Sequence, residues 1–187
     1  RGTTQHRDTS KRSGGEPMNV ATLLEQTGLT HTLYGNLEAS VEDLVCDSRA
    51  VRHGAGFVAI RGHHVDGHDY IDSALSKGAS FIVAETEPPD VLPNEVAWAR
   101  LEKTDSVLGV IAGTFYGQPS RDIDVLAVTG TNGKTTVSWL VESILKHAGK
   151  RCGLIGTIET HIDGAVEPAV FTTPSVGSLR TTSDSSM

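Results

Sequence analysis

Apolar positions recur along this chain in two periods, and their order reads as strands alternating with helices. Val20, Leu23 and Leu24 share one helical face after Asn19, with Gly28 as the stop. The runs at residues 41–49 and 56–62 read as strands, joined by a turn around His53-Gly54-Ala55-Gly56. A polar, glycine-punctuated loop follows from Gly62 to Asp69. Ile71, Ala74 and Leu75 then predict a helix over residues 69–77, with Gly78 at its end. Phe81-Ile82-Val83-Ala84 has the character of a buried strand, residues 96–101 alternate like another, and Thr104 or Asp105 caps a helix running to about Tyr116. Strands alternating with helices imply an α/β layer arrangement for residues 18–117. Gly117-Gln118-Pro119-Ser120 has the chemistry of a linker.

Beyond the linker, the apolar run Val125-Leu126-Ala127-Val128 leads into Thr129-Gly130-Thr131-Asn132-Gly133-Lys134-Thr135-Thr136. Val137, Leu140, Val141, Ile144 and Leu145 then repeat at helical spacing up to Gly149. Strand, glycine turn and helix in that order suit a phosphate-binding loop. Gly130 and Gly133 permit a turn that aims N–H groups inward, and the helix adds its positive dipole end. Lys134 would reach the terminal phosphates, and the Thr135 hydroxyl would ligate Mg²⁺. The strict loop pattern would place a glycine where Val128 stands, so this is a shorter variant, and a surface turn carrying a lysine is the bland alternative. Cys152-Gly153-Leu154-Ile155 reads as a second strand, and residues 156–164 as another ending in a turn.

Composition narrows the function classes. Sixteen Lys and Arg against 23 Asp and Glu give a net charge of −7, which argues against a nucleic acid or an anionic membrane as partner. No apolar stretch approaches the ~20 residues of a membrane span, and no signal-peptide pattern is present, so a cytoplasmic setting is expected. Two cysteines, Cys46 and Cys152, without CxxC spacing point to reduced thiols. His63, His64 and His68 do not have zinc spacing and read as loop lining. Residues 1–17 and 175–187 are polar and poor in anchoring side chains, so both ends are expected to be disordered, with Met18 as a natural start.

Three separated motifs carry a family resemblance. They are Asp47-Ser48-Arg49 with Gly56-Phe57-Val58-Ala59 and the Gly62 to His68 loop, then the stretch from Thr129 to Thr136, and then Gly153-Leu154-Ile155-Gly156-Thr157 followed by Thr172-Thr173-Pro174. Together they resemble the Mur ligases, ATP-dependent amino-acid ligases of peptidoglycan precursor synthesis, and within them those that add the third residue to UDP-N-acetylmuramoyl-L-alanyl-D-glutamate. The resemblance covers residues 18–174 and ends at Ser175, where the family usually has an acidic residue. It implies an N-terminal UDP-precursor-binding α/β domain at 18–117, followed at 118–174 by the start of a P-loop parallel-sheet ATPase domain, in a truncated chain.

By that resemblance, Cys46, Ser48, His63, His64 and Val65 line the uridine diphosphate pocket, and Thr172 and Thr173 meet the muramoyl-dipeptide end. Gly130, Thr131, Asn132, Gly133, Lys134, Thr135 and Thr136 hold ATP, with Lys134 and Thr135 catalytic and Thr135 on Mg²⁺. Ser48 and Arg49 could instead simply cap or pair within a turn. The substrates implied are the UDP precursor and a diamino acid, diaminopimelate or lysine, handled by a monomer through an acyl phosphate. Turnover is not expected of the chain alone. A non-catalytic module binding the UDP precursor and a generic nucleotide triphosphatase are the competing readings. Apolar faces left uncovered after residue 117 predict aggregation.

Overall fold

In the computed structural model, which describes residues 16–62, 65–162 and 164–168, the alternating pattern becomes a five-stranded sheet covered by helices on both faces. The strand β1 (Met18–Asn19) leads into α1 (Val20–Thr27), which is capped by the Asn19 side chain receiving the Thr22 N–H at 3.0 Å. Gly28 ends α1 in the left-handed conformation at φ +67°, donating to the Glu25 carbonyl. Next come β2 (Thr32–Gly35), β3 (Ser40–Val41), β4 (Asp43–Val45) and β5 (Ala55–Val58). After a 3₁₀ turn at Gly67–Tyr70, the chain forms α2 (Ile71–Ser76), β6 (Phe81–Ala84), β7 (Ala97–Arg100) and α3 (Thr104–Phe115).

The sheet order is β2-β7-β6-β5-β4, with β4 to β7 parallel and β2 antiparallel at the edge; β1 and β3 form a separate antiparallel pair. Alternate side chains of the apolar strands go to opposite faces. Leu44, Val58, Phe81, Val83, Ala97 and Ala99 pack on one side with Leu23 and Leu24 of α1 and Ile111 and Phe115 of α3. Val45, Phe57, Ile82, Ala84 and Trp98 pack on the other with Ile71 and Ala74 of α2. Each large side chain buried this way contributes ~1.5–3 kcal/mol, so both helical layers are held by many independent contacts.

Several local expectations change. The predicted strand at 41–49 is divided: Val41 pairs with Met18, while only Asp43–Val45 joins the large sheet, and the chain turns at Asp47. Ala55 belongs to β5 instead of the preceding turn, and the helix predicted from residue 69 opens as the 3₁₀ turn, its α-helical part beginning at Ile71. Neither Thr104 nor Asp105 caps α3. Lys103 holds the cap position, and the Glu85 carboxylate receives the Thr104 N–H at 3.1 Å, because a side chain from the neighbouring strand end reaches the helix terminus first.

The chain divides into two compact units, Arg1–Ile123 and Asp124–Met187. In the second, α4 (Lys134–His147) forms as its periodicity predicts, followed by β8 (Leu154–Ile155), β9 (Glu159–Ile162) and β10 (Ala165–Pro168) in an antiparallel order β10-β9-β8. The apolar run at 125–128 has no strand ladder, since a strand needs a partner and none of the described residues offers one. Val125 and Leu126 are exposed, as are Val137, Leu140 and Ile144 of α4. No helix among the described residues is long and apolar enough to cross a membrane. The terminal stretches 1–15 and 169–187, with His63, His64, Thr172 and Thr173, lie outside the described residues.

Gly67 packs so closely that a Cβ there would lie 2.6 Å from the Ile60 nitrogen and 2.8 Å from its oxygen. Gly67→Ala is expected to destabilise the first unit by about 1–3 kcal/mol in urea, followed through Trp98 fluorescence in a Trp139→Phe background; an unchanged midpoint would contradict this packing.

Candidate functional site

Parallel strands β4 to β7 all end on the same edge of the sheet, and polar side chains collect there. After β4 the chain runs through Cys46 into a turn in which the Asp47 carboxylate accepts the Arg49 backbone N–H at 2.9 Å. The Arg49 guanidinium folds back on the same carboxylate, Nη2 lying 2.7 Å from Oδ2. The Arg49 hydrogen bonds lower the Asp47 pKa below the usual carboxylate range. Of the readings open for this motif, pairing within a turn therefore describes Arg49. Ser48 is buried, and its carbonyl receives the Lys77 amine at 2.7 Å. Burial pushes the half-buried Cys46 thiol up to about 11, so it stays neutral.

The neighbouring strand β5 leads to Arg61 and Gly62. Gly62 donates to the Val65 carbonyl at 2.9 Å, and Gly67 to the Ile60 carbonyl at 2.8 Å, which closes the loop at its base. Arg61 lies 3.3 Å from both Asp66 and Glu85. His68 is held on both ring nitrogens. The Glu85 backbone N–H donates to Nε2 at 2.9 Å, so the proton is on Nδ1, donated to Asp66 at 2.6 Å. Thr104, fully buried, donates to the Ala59 carbonyl at 2.6 Å. Asp66, His68, Arg61, Glu85 and Thr104 thus form one network binding the ends of β5 and β6 and the start of α3. Glu85, Arg61 and Thr104 were not among the expected site residues. A lone Glu directly after a buried four-residue strand is the signal that marks the first of them.

Cys46 and Ser48 therefore stand at the end of β4, and Val65, exposed, beyond the end of the adjacent β5, all on one edge. An open groove of about 320 Å³, lined by Thr30, His31, Thr32, Glu85, Arg100, Leu101 and Glu102, lies toward the β2–β7 side and includes none of the three.

In the second unit, Gly130 and Gly133 adopt φ of +150° and +76°, and α4 opens at Lys134 directly after Gly133. No side chain caps that helix start and its first turn holds no acidic residue. Its leading N–H groups and dipole are thus available to an anion. Thr131, Asn132, Lys134 and Thr136 are exposed and Thr135 half-buried. The Lys134 amine donates to the Gly130 carbonyl at 2.6 Å, a neutral partner, and no carboxylate among the described residues pairs with it. These residues fit a polyphosphate. A Mg²⁺ fits on Thr135 as one protein ligand beside phosphates and water, the usual habit of that ion, and no cluster of three or more His, Cys, Asp or Glu able to hold a metal occurs among the described residues.

Comparison with known proteins is consistent across sequence and structure. The Mur ligase family catalytic domain matches residues 40–116, and the Mur ligase middle domain matches residues 128–185, running past Ser175. A UDP-N-acetylmuramoyl-L-alanyl-D-glutamate--2,6-diaminopimelate ligase of Bacillus licheniformis is 39% identical over 165 residues, covering 88% of this chain and 33% of that protein. The Pseudomonas aeruginosa protein of the same name is 43% identical over 135 residues, 72% of this chain and 28% of that one. A solved ligase of that name aligns with TM-score 0.53 and 25% identity over 76% of this chain and 28% of its own. The UDP-N-acetylmuramoylalanyl-D-glutamyl-2,6-diaminopimelate--D-alanyl-D-alanyl ligase of Acinetobacter baumannii, at 24% identity, TM-score 0.52, 78% of this chain and 30% of its own, shares the fold. The chain spans about a third of the length of the curated relatives it matches.

Arg49→Gln should bring the Asp47 pKa back up toward ~3.9, read by carboxyl ¹³C NMR. Asp47 is the depressed-carboxylate case: its contribution is present above ~3.9 and is lost as pH falls through the lower folded value. A titration unchanged by the substitution would contradict the turn described.

Proposed function

The chain belongs to the Mur ligase family, and from that membership we propose that it serves ATP-dependent amide synthesis in peptidoglycan precursor assembly, adding the third amino acid to UDP-N-acetylmuramoyl-L-alanyl-D-glutamate through an acyl phosphate. The observation that carries this reading is the presence in one chain of a strand-end site suited to a UDP-linked precursor and of an uncapped loop-to-helix start suited to nucleotide phosphates. The third residue is 2,6-diaminopimelate on this reading, supported by the names of the relatives at 39% and 43% identity. The setting is cytoplasmic and the chain acts as a monomer.

Roles follow from chemistry. Cys46, Ser48, His63, His64 and Val65 receive the uridine diphosphate, and Thr172 and Thr173 the muramoyl-dipeptide end. The N–H groups around residues 130–136 bind the ATP phosphates. Lys134, released from the Gly130 carbonyl, gives them a mobile positive charge. Thr135 holds Mg²⁺, which when bound neutralises phosphate charge. Phosphoryl transfer asks for positioning and charge neutralisation above all, and these residues are of that kind.

A second reading, precursor binding without catalysis, is favoured by one contrast. The first unit has cores on both faces of its sheet, whereas Val125 and Leu126, ahead of the phosphate loop, are exposed.

Isothermal titration of the chain separates the two. The ligase reading expects binding of both the UDP precursor and Mg²⁺-ATP. Lys134→Ala should weaken ATP by roughly tenfold to a hundredfold, the equivalent of one charge-assisted hydrogen bond of about 1.5–3 kcal/mol, with precursor affinity unchanged. Binding of precursor alone supports the second reading; binding of neither contradicts both.

A further inference from the structure

Helix α4, which opens at Lys134, buries a carboxylate in a charge network, with Val141 and Leu145 half-buried. Val137, Leu140 and Ile144 are exposed, while Glu142 on another face of the same helix is 8% exposed. The Glu142 carboxylate accepts the Lys146 amine one turn on at 2.7 Å, and lies 2.8 and 2.9 Å from His161 Nδ1 on β9. On the other side of the ring, His161 Nε2 lies 3.1 Å from the Glu159 carboxylate. From α4 the Trp139 ring stands 6.1 Å from the imidazole. The β-ladder neighbours of His161 are Leu154 on β8 and Val166 on β10, neither of them charged. Just before β8, Cys152 Sγ lies 3.8 Å from the Glu142 backbone carbonyl.

A neutral imidazole has one N–H and one lone pair, and an ionised carboxylate only accepts. With an acceptor on each ring nitrogen, both contacts are hydrogen bonds only when the ring carries both protons. Loss of one proton turns one contact into a lone pair facing a carboxylate.

We infer that His161, as an imidazolium clamped between Glu142 and Glu159, is a positioning residue that ties the phosphate-loop helix to the β8–β9–β10 meander, so that the placing of the loop depends on one proton. The consequence for nucleotide binding rests on the reading of residues 129–136 as an ATP site.

The electrostatics agree in direction. Glu159 first, and then Glu142, raise the His161 pKa above its ordinary ~6.5, against the effect of burial. Burial opposes the charge on Glu142, but Lys146 and His161 outweigh it and keep that carboxyl below its usual range. A histidine with a raised folded pKa contributes its full stabilisation below the unfolded value and loses it as pH rises through the folded one. A depressed carboxylate contributes above its unfolded value and loses it as pH falls. Between ~4.3 and ~6.5 both contributions are complete, and the alkaline side of that window releases the His161 tie.

Three measurements on the full chain and on His161→Gln test this. Histidine ¹⁵N NMR should show His161 remaining doubly protonated above the ordinary ~6.5. Hydrogen exchange, corrected for its intrinsic pH dependence, should show protection of residues 134–147 falling as pH rises above the ordinary ~6.5 in the chain and staying flat in His161→Gln. Mg²⁺-ATP affinity should fall over the same range in the chain and not in His161→Gln. A His161 titration at or below the ordinary value, or an exchange profile shared with His161→Gln, would overturn the tie. Nucleotide binding that ignores pH would overturn the positioning role while leaving the ATP site standing. Absence of nucleotide binding at every pH would sink the ATP reading, and the tie is then decided by the exchange result.

Discussion

Because β4, β5, β6 and β7 run parallel, their carboxyl ends are forced onto a single edge, and the chain must turn there four times. Buried on both faces, these strands leave little room for polar groups except at their ends. Each turn accordingly brings polar chemistry to the same rim: Asp47 and Arg49 after β4, Arg61 and Gly62 after β5, Glu85 after β6, and Lys103 and Thr104 after β7. The network from His68 through Asp66, Arg61 and Glu85 to Thr104 cross-links three of those turns. A site on such a rim is preorganised by the sheet, because its supports are anchored in two hydrophobic cores.

The second unit follows a different rule. Its helix forms from its own sequence periodicity, yet Val137, Leu140 and Ile144 of the apolar stripe that drives the prediction remain exposed, Val141 and Leu145 are half-buried, and the buried member of α4 is a glutamate. Burying a carboxylate is costly unless it is paired, and here Lys146 and His161 both supply positive partners. Helix α4 is thereby tied to β9 by a charge network, whose strength depends on pH in a way that apolar packing does not.

Much of the first unit was legible in the sequence because local signals and tertiary packing agree. Asn19 and Gly28 bracket α1, Phe81–Ala84 is a strand buried on both faces, and the helix expected to run to about Tyr116 is α3. The misses are tertiary. The edge strand β2 has a β-prone Thr-Leu-Tyr run, but only pairing with β7 makes it a strand. Glu85 as the receiver of the Thr104 N–H depends on two turns meeting in space. The apolar run at 125–128 reads as a strand by composition, yet a strand needs a ladder partner as well as β propensity. In the sequence His161 is an isolated histidine in a half-buried strand with no signal of its own, since its carboxylate partners come from α4 and from two residues earlier on β9.

The most direct test of the account is a map of amide chemical-shift changes on the ¹⁵N-labelled chain as uridine diphosphate is added. If the shared carboxyl edge of the parallel strands is the ligand rim, the largest changes fall on residues 46–49 and 61–68 and on Glu85, with Ser80 and Val96 at the opposite strand ends unmoved. Changes centred on Ser80 and Val96, or on the groove lined by Thr30 and Arg100, would place the ligand elsewhere and contradict it.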